Sequence, residues 1–213
     1  MRCSEISKFF GKVRVLDGVN LDLDSGATIA VLGPSGSGKS TLLSIIGLLA
    51  KPSSGELELF GSSAPNSEID RAVFRCREIA WIFQNPTLLF GRTVIDNVTL
   101  PLILGGMKRR DAETEASSKL DSVGLAKRKF ELAKSLSGGE KQRLEVARAI
   151  GRATGLVLCD EPTASLDRAN SDAVIELIVS EKPPATSIVI VTHDSRVAER
   201  CDSVVELRNG ILM

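Results

Sequence analysis

The sequence has no excess of either charge. Lys plus Arg and Asp plus Glu each number 27 in 213 residues, so no global field draws the chain onto nucleic acid or anionic lipid. Long apolar runs are also missing. The longest, Leu42 to Ala50 and Leu100 to Leu104, fall well short of the ~18 to 20 residues of a membrane-spanning helix. The first ten residues, MRCSEISKFF, lack the apolar stretch and small-residue cleavage site of a secretory signal, so a cytoplasmic location is expected. The four cysteines, Cys3, Cys76, Cys159 and Cys201, have no CxxC spacing. They read as reduced, mostly buried small hydrophobes, not as metal ligands. No internal repeat is present.

What remains is a chain of ordinary composition, 43% hydrophobic and 25% charged, long enough for one well-cored α/β unit. Alternation over Val13 to Asp24 predicts antiparallel strands, and the continuous run Thr28 to Leu32 predicts a strand buried on both faces. A helix beginning near Gly38 and carrying Leu42, Leu43, Ile45, Ile46 and Leu49 is expected to stop at the breaker cluster Lys51 to Gly55. Further strands are expected at Glu56 to Gly61, Ile79 to Gln84, Leu156 to Asp160, Ser187 to Thr192 and Ser203 to Leu207, with helical residues near Asp172 to Val179. Between about 88 and 152 the pattern is helical and charged, with helices over Asp111 to Val123 and Glu140 to Ile150. That stretch predicts a helical subdomain inserted in a single α/β domain spanning 1–213 with a mainly parallel sheet.

Residues Gly33, Pro34, Ser35, Gly36, Ser37, Gly38, Lys39, Ser40 and Thr41 fit G-x-x-x-x-G-K-[ST] directly after a predicted strand and at the start of a predicted helix. Glycines there let backbone N–H groups converge on phosphate oxygens at a helix N-terminus. Lys39 is positioned to neutralise the β- and γ-phosphates, and the Ser40 hydroxyl to bind Mg²⁺. Leu156 to Glu161 places two carboxylates at the end of an apolar strand, where parallel α/β sheets present their ligands. Asp160 suits the Mg²⁺ shell, and Glu161 suits orientation or deprotonation of an attacking water. A phosphate loop and an acidic strand alone are equally compatible with a kinase, a GTPase or a helicase.

The segment Leu136-Ser137-Gly138-Gly139-Glu140-Lys141-Gln142-Arg143 resembles the signature sequence of ABC ATPases, and it precedes the acidic strand as it does in that family. Gln84 is similar to the Q-loop glutamine, Ser165-Leu166-Asp167 to the D-loop and His193, the only histidine, to the switch histidine. The resemblance runs from Phe10 to Gly210. It implies the ABC ATPase fold: a P-loop NTPase core with a mainly parallel sheet, an N-terminal antiparallel β subdomain and the inserted helical subdomain. It also implies ATP and Mg²⁺ as ligands, Gln84 touching the metal, and Glu161 and His193 at the γ-phosphate. Ser137, Gly138, Gly139 and Asp167 are then expected to meet the nucleotide of a second copy in a head-to-tail homodimer. Glu140 stands where many members carry glutamine. With tyrosine absent, Phe10 is the expected adenine-stacking ring and Phe9 the alternative.

Asn85 to Phe90, with Asp96-Asn97-Val98 and Leu100-Pro101-Leu102, resembles the group that includes lipoprotein-release, macrolide-export and cell-division ATPases. The resemblance implies an ATP-hydrolysing subunit, peripheral on the cytoplasmic face of the membrane, that drives a separately encoded permease, with export as the expected direction. The alternative is a non-transporting relative that relays force or a signal to a membrane protein. Leu88, Leu89 and Phe90 could receive such a partner or belong to the subdomain core. No nucleic-acid partner is expected.

Overall fold

The computed structural model describes residues 1–151 and 154–213. Two strands, β1 (Arg2–Phe10) and β2 (Val13–Asp22), form an antiparallel hairpin and are followed by β3 (Thr28–Leu32) and helix α1 (Lys39–Ile46). Next come β4 (Ser54–Leu59), β5 (Ser62–Ser63), α2 (Glu68–Glu78) and β6 (Ile79–Phe83). Three helices, α3 (Val94–Leu104), α4 (Arg109–Ser122) and α5 (Gly138–Ile150), precede β7 (Leu156–Asp160). The chain continues through α6 (Arg168–Ser180), β8 (Ser187–Thr192), α7 (Ser195–Ala198), β9 (Ser203–Arg208) and β10 (Ile211–Leu212).

The strands make two sheets. One is antiparallel, in the order β2-β1-β4-β5; the other runs β10-β9-β3-β8-β7-β6 and is parallel except for the pairing of β10 with β9. Alternation explains how the second sheet builds two cores at once. Leu156 and Leu158 of β7, with Val189 and Val191 of β8, join α1 and the antiparallel sheet on one face. Val157, Cys159, Ile188 and Ile190 point the other way, onto Val174, Ile175 and Ile178 of α6. Because both faces are covered, these strands read as unbroken apolar runs.

A third cluster lies within the inserted helices. It joins Val94 and Val98 of α3, Ala112, Ala116 and Leu120 of α4, and Leu144 and Ala147 of α5, together with Leu88 and Leu125. Leu88 is therefore core, whereas Leu89 and Phe90 are 47% and 44% exposed. Capping boxes start two of these helices, Thr93 with Asp96 at α3 and Ser137 with Glu140 at α5. The expected far limit of this subdomain, Arg152, lies outside the described residues.

Two expectations need correction, and two elements were not expected. Helix α1 ends at Ile46, not at the Lys51 cluster, and the next residue is a glycine packed beneath Trp81, where a Cβ would collide with the indole. Leu48 then turns left-handed (φ 59°) and Leu49 is 54% exposed, off the apolar face of the helix. Strand β1 was not expected, because a positive φ at Glu5 (52°) and the register shift between Cys3 and Ile6 break its period of two. Helix α2 was not expected either, since its pattern is inverted: Ile69 is 78% exposed while Arg71 is buried. Lastly, Cys76 is exposed and Cys201 only partly covered, so buried packing describes Cys3 and Cys159 alone.

Candidate functional site

At the carboxyl ends of β3, β7 and β8, the loop before α1 opens on a cleft of about 470 Å³. Parallel α/β sheets present ligands there because each strand end leads into a helix N-terminus. Gly36 (φ 81°) and Gly38 (φ 105°) take conformations that a side chain would strain. At Gly38 a Cβ would also meet the Val15 carbonyl oxygen at 2.9 Å. Gly33 is constrained by close approach, since a Cβ would run into the carbonyl oxygen of Leu207. The loop is braced by the last hairpin: Gly210 donates its N–H to the Ser37 carbonyl (3.2 Å) and accepts one from Asp17 (2.9 Å).

Lys39 is buried, its Nζ donating to the carbonyls of Gly33 (2.7 Å) and Pro34 (3.0 Å). The same ammonium lies 3.7 Å from Glu161 Oε1. The other oxygen of Glu161 is 2.9 Å from His193 Nδ1. Glu161 holds φ 47° while its N–H donates to Val191 O at 3.0 Å, so the turn after β7 fixes this carboxylate from the backbone upward. Ser40 Oγ donates to Asp160 Oδ1 at 3.2 Å. Burial raises the Asp160 carboxyl above the usual range, with the Ser40 hydrogen bond opposing that shift.

Gln84, directly after β6, lines the same cleft, as do Ser35, Thr41 and His193. Residues from four separate strand ends are thus brought together as expected. Val15 and Ala164 also line it and were not anticipated. Their small apolar side chains carry no chemical signal, and only the closeness of Gly38 to Val15 shows why β2 reaches the cleft.

Other expected residues lie outside this cleft. Ser137 caps α5, accepting from the Glu140 N–H, and Gly138 opens the helix; both are exposed. Glu140 accepts the Ser137 N–H at 2.8 Å, which holds its carboxyl below the ordinary glutamate value. Asp167 caps α6, and the Asn170 N–H holds its carboxyl low. Asn170 lies between the two turns: its Nδ2 donates to Asp167 (2.8 Å), and its Oδ1 packs so close to Gly139 that a Cβ there would stand 2.7 Å away. Phe10 is 57% exposed at the tip of the first hairpin beneath Lys8 Nζ, and Phe9 is 41% exposed beneath Arg14. Neither ring is part of the core.

Comparison with known proteins gives this geometry its context. Residues 16–164 match the family model described as "ABC transporter". The chain belongs to the ABC transporter family. Among the curated ABC proteins it resembles is the "Lipoprotein-releasing system ATP-binding protein LolD" of Legionella pneumophila (strain Paris), 43% identical, with 94% of this chain and 89% of that protein covered. The "Macrolide export ATP-binding/permease protein MacB" of Bradyrhizobium diazoefficiens is 37% identical over 99% of this chain, which spans only 32% of that longer protein. Among solved structures, the dimeric post-hydrolysis state of the ATP-binding cassette MJ0796 bound to ADP and Pi superposes with a TM-score of 0.88 at 30% identity, covering 99% and 95% of the two chains. The fold is that of an ABC ATPase cassette. The chain is accordingly an ATP-binding, ATP-hydrolysing ABC subunit.

Proposed function

We propose that this cassette hydrolyses ATP between two copies of itself, arranged head to tail, to drive a separately encoded membrane permease. The supporting observation is the split between two surfaces. Lys39, Ser40, Gln84, Asp160, Glu161 and His193 face one cleft, while the capped N-terminus of α5, with Ser137 and Gly138 exposed and Gly139 partly so, lies outside it. Free N–H groups at that terminus make a second anion site, and a γ-phosphate held by another copy satisfies it. Asp167, which accepts from Asn170 beside the same turn, then reaches the partner's phosphate loop.

In the proposed reaction the backbone N–H groups of Gly33, Ser35, Gly36, Ser37 and Gly38, with Thr41 at the helix start, cradle the β- and γ-phosphates, while Pro34, which has no N–H, fixes the turn of the loop. Lys39 exchanges its carbonyl contacts for phosphate oxygens. Phe10 stacks on the adenine, where a ring face suffices. Mg²⁺ fits the donor set: Ser40 and Asp160 offer hard oxygens 3.2 Å apart, Gln84 adds a carbonyl, and substrate phosphates and water complete such a shell. Bound there, the metal supplies charge neutralisation at the β- and γ-oxygens. Water attacks the γ-phosphorus, the bond to the β–γ bridging oxygen breaks, and ADP and inorganic phosphate leave. Glu161 takes the water's proton, and His193, hydrogen-bonded to it, holds the γ-phosphate and fixes the carboxylate.

The whole chain serves as one cassette, with about 88–152 as its helical subdomain. No helix among the described residues is long and apolar enough to cross a membrane, so the proposed attachment to the cytoplasmic face runs through the permease. Exposed Leu89 and Phe90 provide apolar surface for it. The functions named for the relatives, lipoprotein release and macrolide export, favour outward movement of cargo over a force relay without transport. The test is oligomeric state by light scattering. A Glu161→Gln chain is expected to double its mass with ATP and return to monomer with ADP, and Gly138→Asp in that background is expected to abolish the doubling. A monomer at saturating ATP, with the permease supplied, refutes the sandwich.

A further inference from the structure

Glu145 is fully buried on α5, eight residues beyond Ser137. A lone carboxylate in that setting costs several kcal/mol unless it is paired and hydrogen-bonded, and the apolar core of the subdomain is already supplied by Leu144 and Ala147. Its partners lie elsewhere. Glu145 accepts the Phe83 N–H (3.3 Å), the Thr87 N–H (3.0 Å), the Thr87 hydroxyl (3.0 Å) and Arg148 (2.8 Å). Arg148 in turn donates to the Thr87 carbonyl (2.6 Å) and hydroxyl (2.9 Å). Gln142, one turn earlier, donates to the Phe83 carbonyl at 3.0 Å, and its own Oε1 is buried without a partner.

Apart from the bond between them, the hydrogen bonds of this ion pair all end on Phe83 or Thr87. Gln84, Asn85 and Pro86 lie between those two anchors. Phe83 is also the last residue of β6 and pairs with Asp160, so the parallel sheet holds one end of the segment and the signature helix holds both. From this geometry, and resting on the reading of Gln84 above, we propose that Glu145 is a positioning residue for ATP hydrolysis. With Arg148 and Gln142 it fastens Phe83–Thr87 to α5, so Gln84 keeps its place in the cleft only while that helix is in register with the sheet. A shift of α5 on docking against a second copy is transmitted through this clasp to Gln84, by a continuous chain of hydrogen bonds.

The experiment compares Glu145→Ala, Thr87→Val and Gln84→Ala in the full chain, with steady-state phosphate release measured against Mg²⁺ concentration. Thr87 is exposed, so its replacement by valine removes hydroxyl bonds without opening the core. Both Gln84→Ala and Glu145→Ala are expected to lower kcat by between about 10- and 100-fold, the scale of a group misplaced by an ångström. Both should raise the Mg²⁺ concentration giving half-maximal rate. Affinity for a non-hydrolysable ATP analogue should stay within about twofold in Glu145→Ala, separating kcat from binding. Glu145→Gln, which keeps an acceptor for Thr87, should recover part of the loss. Combining Glu145→Ala with Gln84→Ala should add little, since both act through one group.

Wild-type kcat in both Glu145→Ala and Thr87→Val beside an impaired Gln84→Ala overturns the clasp and leaves the hydrolysis reading intact. Full additivity of the double variant also overturns it. Wild-type kcat in Gln84→Ala overturns the role of that glutamine, and the clasp with it. Should Glu145→Ala fail to fold, Thr87→Val decides: normal kcat and Mg²⁺ dependence in that variant count against the proposal.

Discussion

Replacing Glu161 by glutamine separates the proposed base role of this side chain from its contacts in the cleft. The carboxylate meets His193 at 2.9 Å through one oxygen and Lys39 at 3.7 Å through the other. Glutamine has the same shape, tolerates the left-handed backbone about as well, retains the N–H bond to Val191 and can still pair with His193. What it cannot do is accept a proton. The loss should therefore be the general-base contribution, about 10²- to 10⁴-fold in kcat, or about 2.7 to 5.4 kcal/mol of barrier at 1.36 kcal/mol per tenfold.

Binding should move the other way. A negative charge is removed 3.7 Å from the ammonium proposed to meet the phosphates. At that distance the gross attraction is of order 4 kcal/mol at an effective permittivity near 20, and much of it is offset by the cost of burying both charges. Tighter ATP binding by up to about tenfold follows. Phosphate release at saturating ATP gives kcat, and equilibrium titration with a fluorescent nucleotide gives Kd. A kcat within about threefold of wild type would refute the base assignment. Weaker nucleotide binding would show that the Lys39–Glu161 contact is not the restraint described.

Three further outcomes follow from the same geometry. Phe10→Ala should weaken ATP binding by about 1 to 3 kcal/mol, the worth of a base stacked on a ring; Phe9→Ala, measured by the same titration, should leave it unchanged. Glu140 has its carboxyl lowered by the Ser137 N–H, so its contribution to stability is complete above the ordinary glutamate value and disappears as pH falls through the lowered one. Glu140→Gln should accordingly show a smaller drop in urea midpoint between pH 7 and acid than wild type. Leu120→Ala, at a fully buried position of the third core, should cost about 2 to 5 kcal/mol in a denaturant titration.

The parallel core could be read from sequence because both its faces are buried. The expected limits of β7 and β8 coincide with the observed ones, since such strands need no alternation to be seen and stop at polar residues. Gln84 and His193 were legible only through their resemblance to the Q-loop and switch positions of ABC ATPases, since a polar residue after a strand is by itself unremarkable; both line the cleft. Features in which one tertiary contact overrides the local pattern were not legible. Arg71 is drawn inside by the Ala50 carbonyl it binds at 2.8 Å, so α2 hides its polar residue and shows its isoleucine. Leu48 turns left-handed just after α1, and Trp81, distant in sequence, leaves no room for a Cβ at Gly47. Glu145 escaped attention because a glutamate on a charged helix looks solvated, and only the return of Thr87 to the same spot shows otherwise.

The brace beneath the phosphate loop has a bearing on how the protein is made. The Ser37 carbonyl takes its main-chain hydrogen bond from Gly210, and β3, which launches the loop, is flanked by β8 and β9. During synthesis at ~5 to 20 residues per second, the first forty residues therefore wait many seconds for the strands that flank them. Nucleotide cannot rescue an early intermediate, because the grip that would hold it is assembled last.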